Sequence, residues 1–453
     1  MKTPLYLSLV LGLVLVLSAS GYAAPCWDEG TSPHPICDCA DLQNISFSST
    51  TLGWDYELQN NIDCDVAPYN TGNGFEPIGD NGNRFTGTLD GQGHNISNLY
   101  ISRSTDYVGL FGYANAGANF TNIGLLDVNI SGGTYVGGLL AFGYRADITN
   151  SFATGNVTGD DNYVGGIVGF FRGYDVEISD TNFEGIVKTT KNSGTYVGGI
   201  AGNIYIADSG TLLVNNTHAN VNLTGYQNLG GIAGYVQSTS TTTFLLIENS
   251  YSSGTIDPYD GATEGYAGGL AGISSAWPSS ATPIYPIQIS KCYSTMDITR
   301  GSHIGGLIGQ ARYNTFVSDS FARGNVSGTN LVAGFVGYSE GSYPKFNNSY
   351  STGHVTASTN YGGFAGIGTN SCTNCFWDNE TSGQSDSDCG GDTGKTTADM
   401  TDEDTFIDAD WDFDDVWTRN DSINDGYPFL LNVGIGVGAD PLETTVTCYC
   451  DSC

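Results

Sequence analysis

Basic residues are scarce. The 453-residue chain has 14 lysines and arginines against 47 aspartates and glutamates, a net charge of −33 at pH 7. A phosphate backbone requires a basic stripe, so nucleic acid is excluded as a partner. The acidity favours solubility and can attract cations. Methionine numbers only 3, and long helix-forming stretches are absent. After the first two dozen residues no apolar run is long enough to cross a bilayer, so no transmembrane segment is expected in the mature chain. His-Glu-x-x-His, which sets two metal-binding histidines one helical turn apart, is also missing. None of His34, His94, His218, His303 and His354 begins it, which removes a metalloprotease site.

The N-terminus reads as a secretory signal peptide: Met1 and Lys2, an apolar stretch over 5–17, then small residues with cleavage after Ala23. Cys26 raises a lipoprotein alternative, but Pro25 stands where such a site wants a small residue. Export makes the cysteines candidates for disulfides. Cys26, Cys37, Cys39 and Cys64 lie near the start; Cys372, Cys375, Cys389, Cys448, Cys450 and Cys453 lie near the end; Cys292 is alone between them. The expected result is two stapled termini, with the odd cysteine left free or paired between chains. Zinc is the rival for 372–375 and 448–453, without Cys/His partners at finger-like spacing.

A phrase recurs through the middle of the chain. It appears as Tyr107-Val-Gly-Leu-Phe-Gly112, Tyr163-Val-Gly-Gly-Ile-Val-Gly169, Tyr196-Val-Gly-Gly-Ile-Ala-Gly202 and Tyr361-Gly-Gly-Phe-Ala-Gly366, with looser copies between. Aligned on the glycine before the large apolar residue, the anchors are Gly109, Gly138, Gly166, Gly199, Gly231, Gly269, Gly306, Gly334 and Gly363. Their spacings are 29, 28, 33, 32, 38, 37, 28 and 29. Nine copies on a base period near 28 mean a repeat architecture. The longest spacings are expected to carry inserts over 237–243 and 274–286. The residue after each anchor is always large and apolar, from Leu110 to Phe364, and should stack into a core ladder. The glycines themselves suit either a positive φ or a place where a side chain would clash. A second phrase, as in Ser320-Phe-Ala-Arg-Gly-Asn-Val-Ser327, breaks two β-prone pieces with a glycine. Short strands at this period without helices predict an all-β chain, a right-handed parallel β-helix with disulfide-stapled caps. A β-propeller is the runner-up, but its blades need about 40–45 residues.

The Gly-Leu/Ile-x-Gly core, as in Gly166-Ile-Val-Gly169 and Gly306-Leu-Ile-Gly309, resembles the GLUG-motif family of bacterial and archaeal surface proteins. Phe75-Glu-Pro-Ile-Gly79 and Phe85-Thr-Gly-Thr-Leu-Asp-Gly-Gln-Gly-His-Asn-Ile96 look like its entry rungs. Cys375-Phe-Trp-Asp378 and the 411–417 segment look like its closing module. The expected organisation is a signal peptide over 1–23, an N-terminal cap with a Cys cluster over 24–74, repeats over 75–370 and a Cys- and Asp-rich module over 371–453. The resemblance implies a secreted or cell-surface location. It leaves function open, since such repeats occur in adhesins, in large surface proteins and beside the catalytic domain of proteases that cut immunoglobulin A.

Two functional classes follow. The first is a non-catalytic module for adhesion, binding or structure, its partner an extracellular glycan or surface protein. The second is a polysaccharide-active β-helix, hydrolase or lyase. Hydrolysis wants two carboxylates in a cleft. The best adjacent pair, Asp160-Asp161, sits at a turn that favours Asp anyway. Lyase chemistry wants bases, which are few. No catalytic or cofactor-binding residue is assigned. Calcium is considered for the acidic segment 399–415, which lacks an EF-hand glycine. There the alternation of Trp411, Phe413 and Asp415 with Asp410, Asp412 and Asp414 predicts a strand with a buried aromatic face. Eleven Asn-x-Ser/Thr sequons, among them Asn95, Asn156, Asn325 and Asn420, would be modified only in a host with the machinery.

Overall fold

The structure is a computed structural model. It describes residues 26–27, 30–191, 195–239, 242–259, 265–276, 286–341, 344–368 and 371–434. The signal peptide and Cys448, Cys450 and Cys453 fall outside these residues, as does most of the expected insert over 274–286.

The chain winds as a parallel β-solenoid, and successive coils pair through three sheets. In one base coil, Leu140–Tyr144 lies on a flank sheet, and Asp147–Thr149 and Phe152–Gly159 lie on a broad sheet. Val136–Gly137 and Val164–Gly165 lie on a sheet of very short strands. Each pairs in parallel with its counterpart one coil on: Tyr144 with Arg172, Ile148 with Ile178, Val157 with Val187, Val164 with Val197. Neighbouring coils are therefore about 4.8 Å apart, the distance between hydrogen-bonded strands. The extra residues of longer coils enter at corners. Ile148 follows Tyr144 by four positions, whereas in the register-matched pair Ile247 follows Gln237 by ten. The expected insert over 237–243 sits at that corner.

The residues after the anchors stack as expected. Leu139, Ile167, Ile200, Ile232, Leu270 and Leu307 are each 1% exposed or less. Each of the first five donates its backbone N–H to the carbonyl of the next, at 2.8–3.1 Å. The structure also decides between the two reasons for the anchor glycines. None has a positive φ. A Cβ on Gly166, Gly199 or Gly231 would lie 2.1–2.2 Å from the carbonyl oxygen of the anchor one coil on. Close backbone approach is the reason. Positive φ falls on the preceding corner instead, at Tyr107, Tyr135, Tyr163, Asn228 and His303.

Two polar ladders run inside another corner. Asn122, Asn150, Asp180, Asn216, Asn249, Asp319 and Asn348 all have φ between 44° and 56°, which Asn and Asp tolerate best after glycine. Their side chains link coils: Asn150 donates to Asn122 at 2.6 Å, and Asn216 to Asp180 at 2.6 Å. The next residue is a buried hydroxyl, as at Ser151, Thr181, Thr217, Ser250, Ser320 and Ser349. It donates to the carbonyl two residues back and, at Ser151, Ser250, Ser320 and Ser349, accepts the amide of the preceding coil. Cys292 and Cys375 occupy two rungs of this ladder. Their thiols donate to Ser290 O and Thr373 O at 3.2 and 3.5 Å.

This corrects the expectation for Cys375, which is not a disulfide cysteine but a buried free thiol, like Cys292. Among the described residues the bonded pairs are Cys26–Cys37, Cys39–Cys64 and Cys372–Cys389. Burial raises both free thiols to about 12, so neither forms a reactive thiolate. Alkylation of the native protein is expected to leave Cys292 and Cys375 unlabelled, and unfolding to expose both. Labelling of either in the native state, read by peptide mass mapping, would contradict the ladder.

The parallel sheet passes both expected repeat boundaries. At the N-terminal end His34–Ile36 pairs with Tyr56–Leu58, which pairs with Thr88–Asp90. The Cys-rich cap is thus the first coils, closed by the helix Cys39–Asn44. At the C-terminal end Ser371–Asp378 pairs with Gly390–Lys395.

The C-terminal module then turns back along the solenoid. The segment 399–415 is not the expected strand. It forms short helices at Thr397–Met400 and Glu403–Ile407 followed by turns, because its acids cap them. Asp399 completes a capping box with Thr396, Asp402 accepts Asp404 N, and Asp412 accepts the amides of Asp414 and Asp415. Trp411 is nevertheless buried, as the alternation required. It joins Met400, Phe406, Trp417, Tyr427 and Leu430 in a second core. That core packs on an outward-facing ring column, Tyr293, Phe321, Tyr350 and Phe376. Tyr350 donates to Pro428 O at 2.6 Å, and Tyr427 to the buried Asp378 at 2.7 Å.

Candidate functional site

The corner before each short strand carries the first residue of the repeated phrase, and its side chain points outward. Tyr107, Tyr135, Tyr163 and Tyr196 therefore stack along the axis. Their centroids are 5.0 Å apart and their planes lie within 13°. The fifth coil has Asn228 here, and Tyr235 from the flank sheet takes the place, 5.5 Å from Tyr196. A second column, Tyr113, Phe142 and Phe170, stands beside the first on the flank sheet, its rings 4.5 and 5.0 Å apart. The two columns meet edge to face, as at Tyr163–Phe170, 5.1 Å and 84°. Each such contact contributes about 0.5–1.5 kcal/mol beyond burial. Tyr107, Tyr135, Tyr163 and Tyr196 are only half-buried, and no described residue hydrogen-bonds their hydroxyls. Burial first, then the neighbouring Tyr196, pushes Tyr163 up to about 12, so this hydroxyl row stays neutral.

The row opens at one end into a cleft of about 500 Å³ between the N-terminal cap and the first coils, lined by Phe47, Glu76, Asp80, Arg103, Asp106 and Tyr107 among others. Phe47 is 82% exposed. Arg103 bonds Glu76 at 3.1 Å. Asp80 and Asp106 are occupied as turn residues, accepting the amides of Asn83 and Thr134.

The other acids considered from sequence are also engaged. Asp160 accepts from Thr190 at 2.9 Å, and Asp161 pairs with Lys191. Asp392 beside Cys389 is the most perturbed carboxyl, raised to about 6 by burial, with the Ser387 hydroxyl bonded to it. The histidines do not converge. His34 stacks on Trp54 and His218 on Tyr251, while His303 lies tilted against Tyr266. Sequence reasoning missed the tyrosine row, because its period matched the anchors and was absorbed into the repeat.

The GLUG motif matches residues 132–158. Halomucin from Haloquadratum walsbyi is 43% identical over 145 residues, 30% of this chain and 2% of that protein. A putative Gly-rich membrane protein from Evansella cellulosilytica is 32% identical over 428 residues, 88% of this chain and 45% of that protein. The immunoglobulin A1 protease of Streptococcus sanguinis is 29% identical over 236 residues, 49% of this chain and 12% of that protein. The chain thus spans less than half the length of each of these relatives. Among solved structures, a putative immunoglobulin A1 protease from Bacteroides ovatus aligns over 89% of this chain and 93% of its own, with 16% identity and a TM-score of 0.35. No described helix is long and apolar enough to cross a membrane, which says nothing of membrane-spanning strands. By its motif over residues 132–158 and its parallel coils, the chain resembles the GLUG-motif repeat proteins.

Proposed function

We propose that this chain is a non-catalytic secreted or cell-surface binding module, and that its tyrosine-lined flank holds an extended glycan along the solenoid axis. The carrying observation is the row of half-buried tyrosine rings with centroids 5.0 Å apart, whose neutral hydroxyls bond no described residue. A polymer lying along the axis meets the same donor, acceptor and apolar rim at every coil. Many weak, similar contacts then add up to useful affinity. The names of the relatives, halomucin, a putative Gly-rich membrane protein and an immunoglobulin A1 protease, fit an extracellular setting and leave the activity of this chain open.

The test is binding of the full chain to a panel of polysaccharides, followed by tyrosine variants. Tyr163→Ser is expected to weaken binding severalfold, and Tyr135→Ser with Tyr163→Ser about tenfold or more, a difference of about 1.4 kcal/mol. Unchanged affinity in both would remove the flank from the reading. Release of new reducing or unsaturated ends would instead make the chain a polysaccharide-active enzyme.

A further inference from the structure

The few basic residues are not spread evenly. Arg84 lies over the Tyr113 ring at 4.5 Å, Arg145 over Tyr174 at 4.1 Å and Arg172 over Tyr205 at 5.0 Å. All three lie along the same flank as the tyrosine row. Arg172 stands in register with Tyr144 and Tyr205, and the Arg145 amide donates to Arg172 O at 2.8 Å. In a chain with 47 carboxylates, guanidinium groups should find acidic partners readily. Among the described residues, Arg145 and Arg172 form no ion pair, and the buried Nε of each has no hydrogen-bond partner. A buried donor left unmade costs about 1–3 kcal/mol, so such a group calls for an explanation.

We infer that Arg145 and Arg172, with Arg84 beside them, form an oxyanion-binding strip that takes acidic substituents, sulfate or carboxylate, on a glycan laid along the tyrosine row. This rests on the glycan-binding reading above and gives its ligand a chemical class. A guanidinium over a ring can still offer its terminal N–H groups for bidentate oxyanion bonds; Arg84 already donates through Nε and one terminal nitrogen to Asn81, so Arg145 and Arg172 carry the strip. The opposing charges are Asp147, Asp175 and Glu177, around the corner on the broad sheet. Asp147 and Asp175 are tied to the amides of Glu177 and Thr211, and none pairs with either arginine. The net charge of −33 would repel a polyanion at a distance. With a screening length of about 8 Å at physiological salt, contact-range charges decide instead.

The experiment measures affinity of the full chain for dextran sulfate, polygalacturonate and neutral dextran, at low and high salt. The two acidic probes separate sulfate from carboxylate. The expected result is preference for at least one acidic polymer, reduced by salt, and about a tenfold loss in Arg145→Gln/Arg172→Gln with neutral dextran unaffected. Arg172→Lys keeps the charge and should fall between. Arg300→Gln, which breaks the surface pair with Asp257, should match wild type. Matching melting temperatures show that the variants fold. If the polymers bind through the tyrosines with equal strength and without dependence on the arginines, the charge inference fails and the binding module stands. If no polymer binds at all, both fail.

Discussion

Trp417→Ala is expected to detach the C-terminal module while leaving the coils intact. Trp417 is fully buried, with Trp411 at 4.6 Å, Tyr350 at 6.1 Å and Phe321 at 6.2 Å between ring centroids. It touches both partners of the second core, the module and the outward ring column. Truncating a buried Trp costs about 3–5 kcal/mol in transfer and cavity terms. Apart from this shared core and polar ties such as Tyr350 to Pro428 O, Tyr427 to Asp378 and Arg323 to Asp425, the module has no core of its own. Its elements are two short helices, a 3-10 turn at Asn424–Gly426 and one two-stranded antiparallel ribbon, Trp417–Thr418 with Phe429–Leu430, too small to fold alone. Loss of this anchor should exceed what keeps the module docked. Limited proteolysis should cut within 397–434 in the variant and not in wild type. Dye binding should rise as Tyr293, Phe321, Tyr350 and Phe376 become exposed. Amides in the middle coils should keep their exchange protection, because each coil depends mainly on its neighbours. A variant with wild-type protection throughout, or one that unfolds as a single unit, would show that module and solenoid are coupled differently.

Gly199→Ala is the second large effect. The new methyl would sit 2.1 Å from Gly231 O and 2.6 Å from the Ala219 Cβ. Neither can move away, since one is backbone of the next coil and the other is core. Coils held at about 4.8 Å must spread, weakening the Gly199 N to Gly230 O bond of 3.2 Å. Overpacking of this kind costs about 1–3 kcal/mol, and the rigid backbone partner places Gly199→Ala at the upper end. Gly93→Ala is the informative contrast. Gly93 has a φ of +77° with open space around it, so the methyl meets only backbone strain. Denaturant titration should rank Gly199→Ala well below Gly93→Ala in stability. The reverse order would mean that the close carbonyl one coil on does not constrain the anchor position.

The repeat was legible because one coil equals one period. Stacking turns a spacing near 28 into contact, so Leu139, Ile167 and Ile200 could be placed in one ladder without coordinates. The glycines were half legible. Their pattern showed a constraint, but only the distance to the next carbonyl shows which one. Cys375 was misjudged for a related reason. A cysteine near a chain end in an exported protein reads as a disulfide half, and nothing local marks it as a rung in a column of serines and threonines. The segment 399–415 was misjudged because alternation identifies which side is buried without identifying the backbone. Trp411 is buried as required, while Asp402 and Asp412 use their carboxylates as caps.

The sequence alone determined the solenoid, its period and its apolar ladder, since these repeat within the chain and depend on neighbours one coil away. Tertiary structure decided what the outward residues do. Arg145, Arg172, Tyr174 and Tyr205 come from three successive coils, and only the strand register brings them to one flank. The same register lines up Tyr293, Phe321, Tyr350 and Phe376 as a face on which a distant segment can dock. Outward positions carry no periodic burial signal, so their partners are fixed only when the coils are wound.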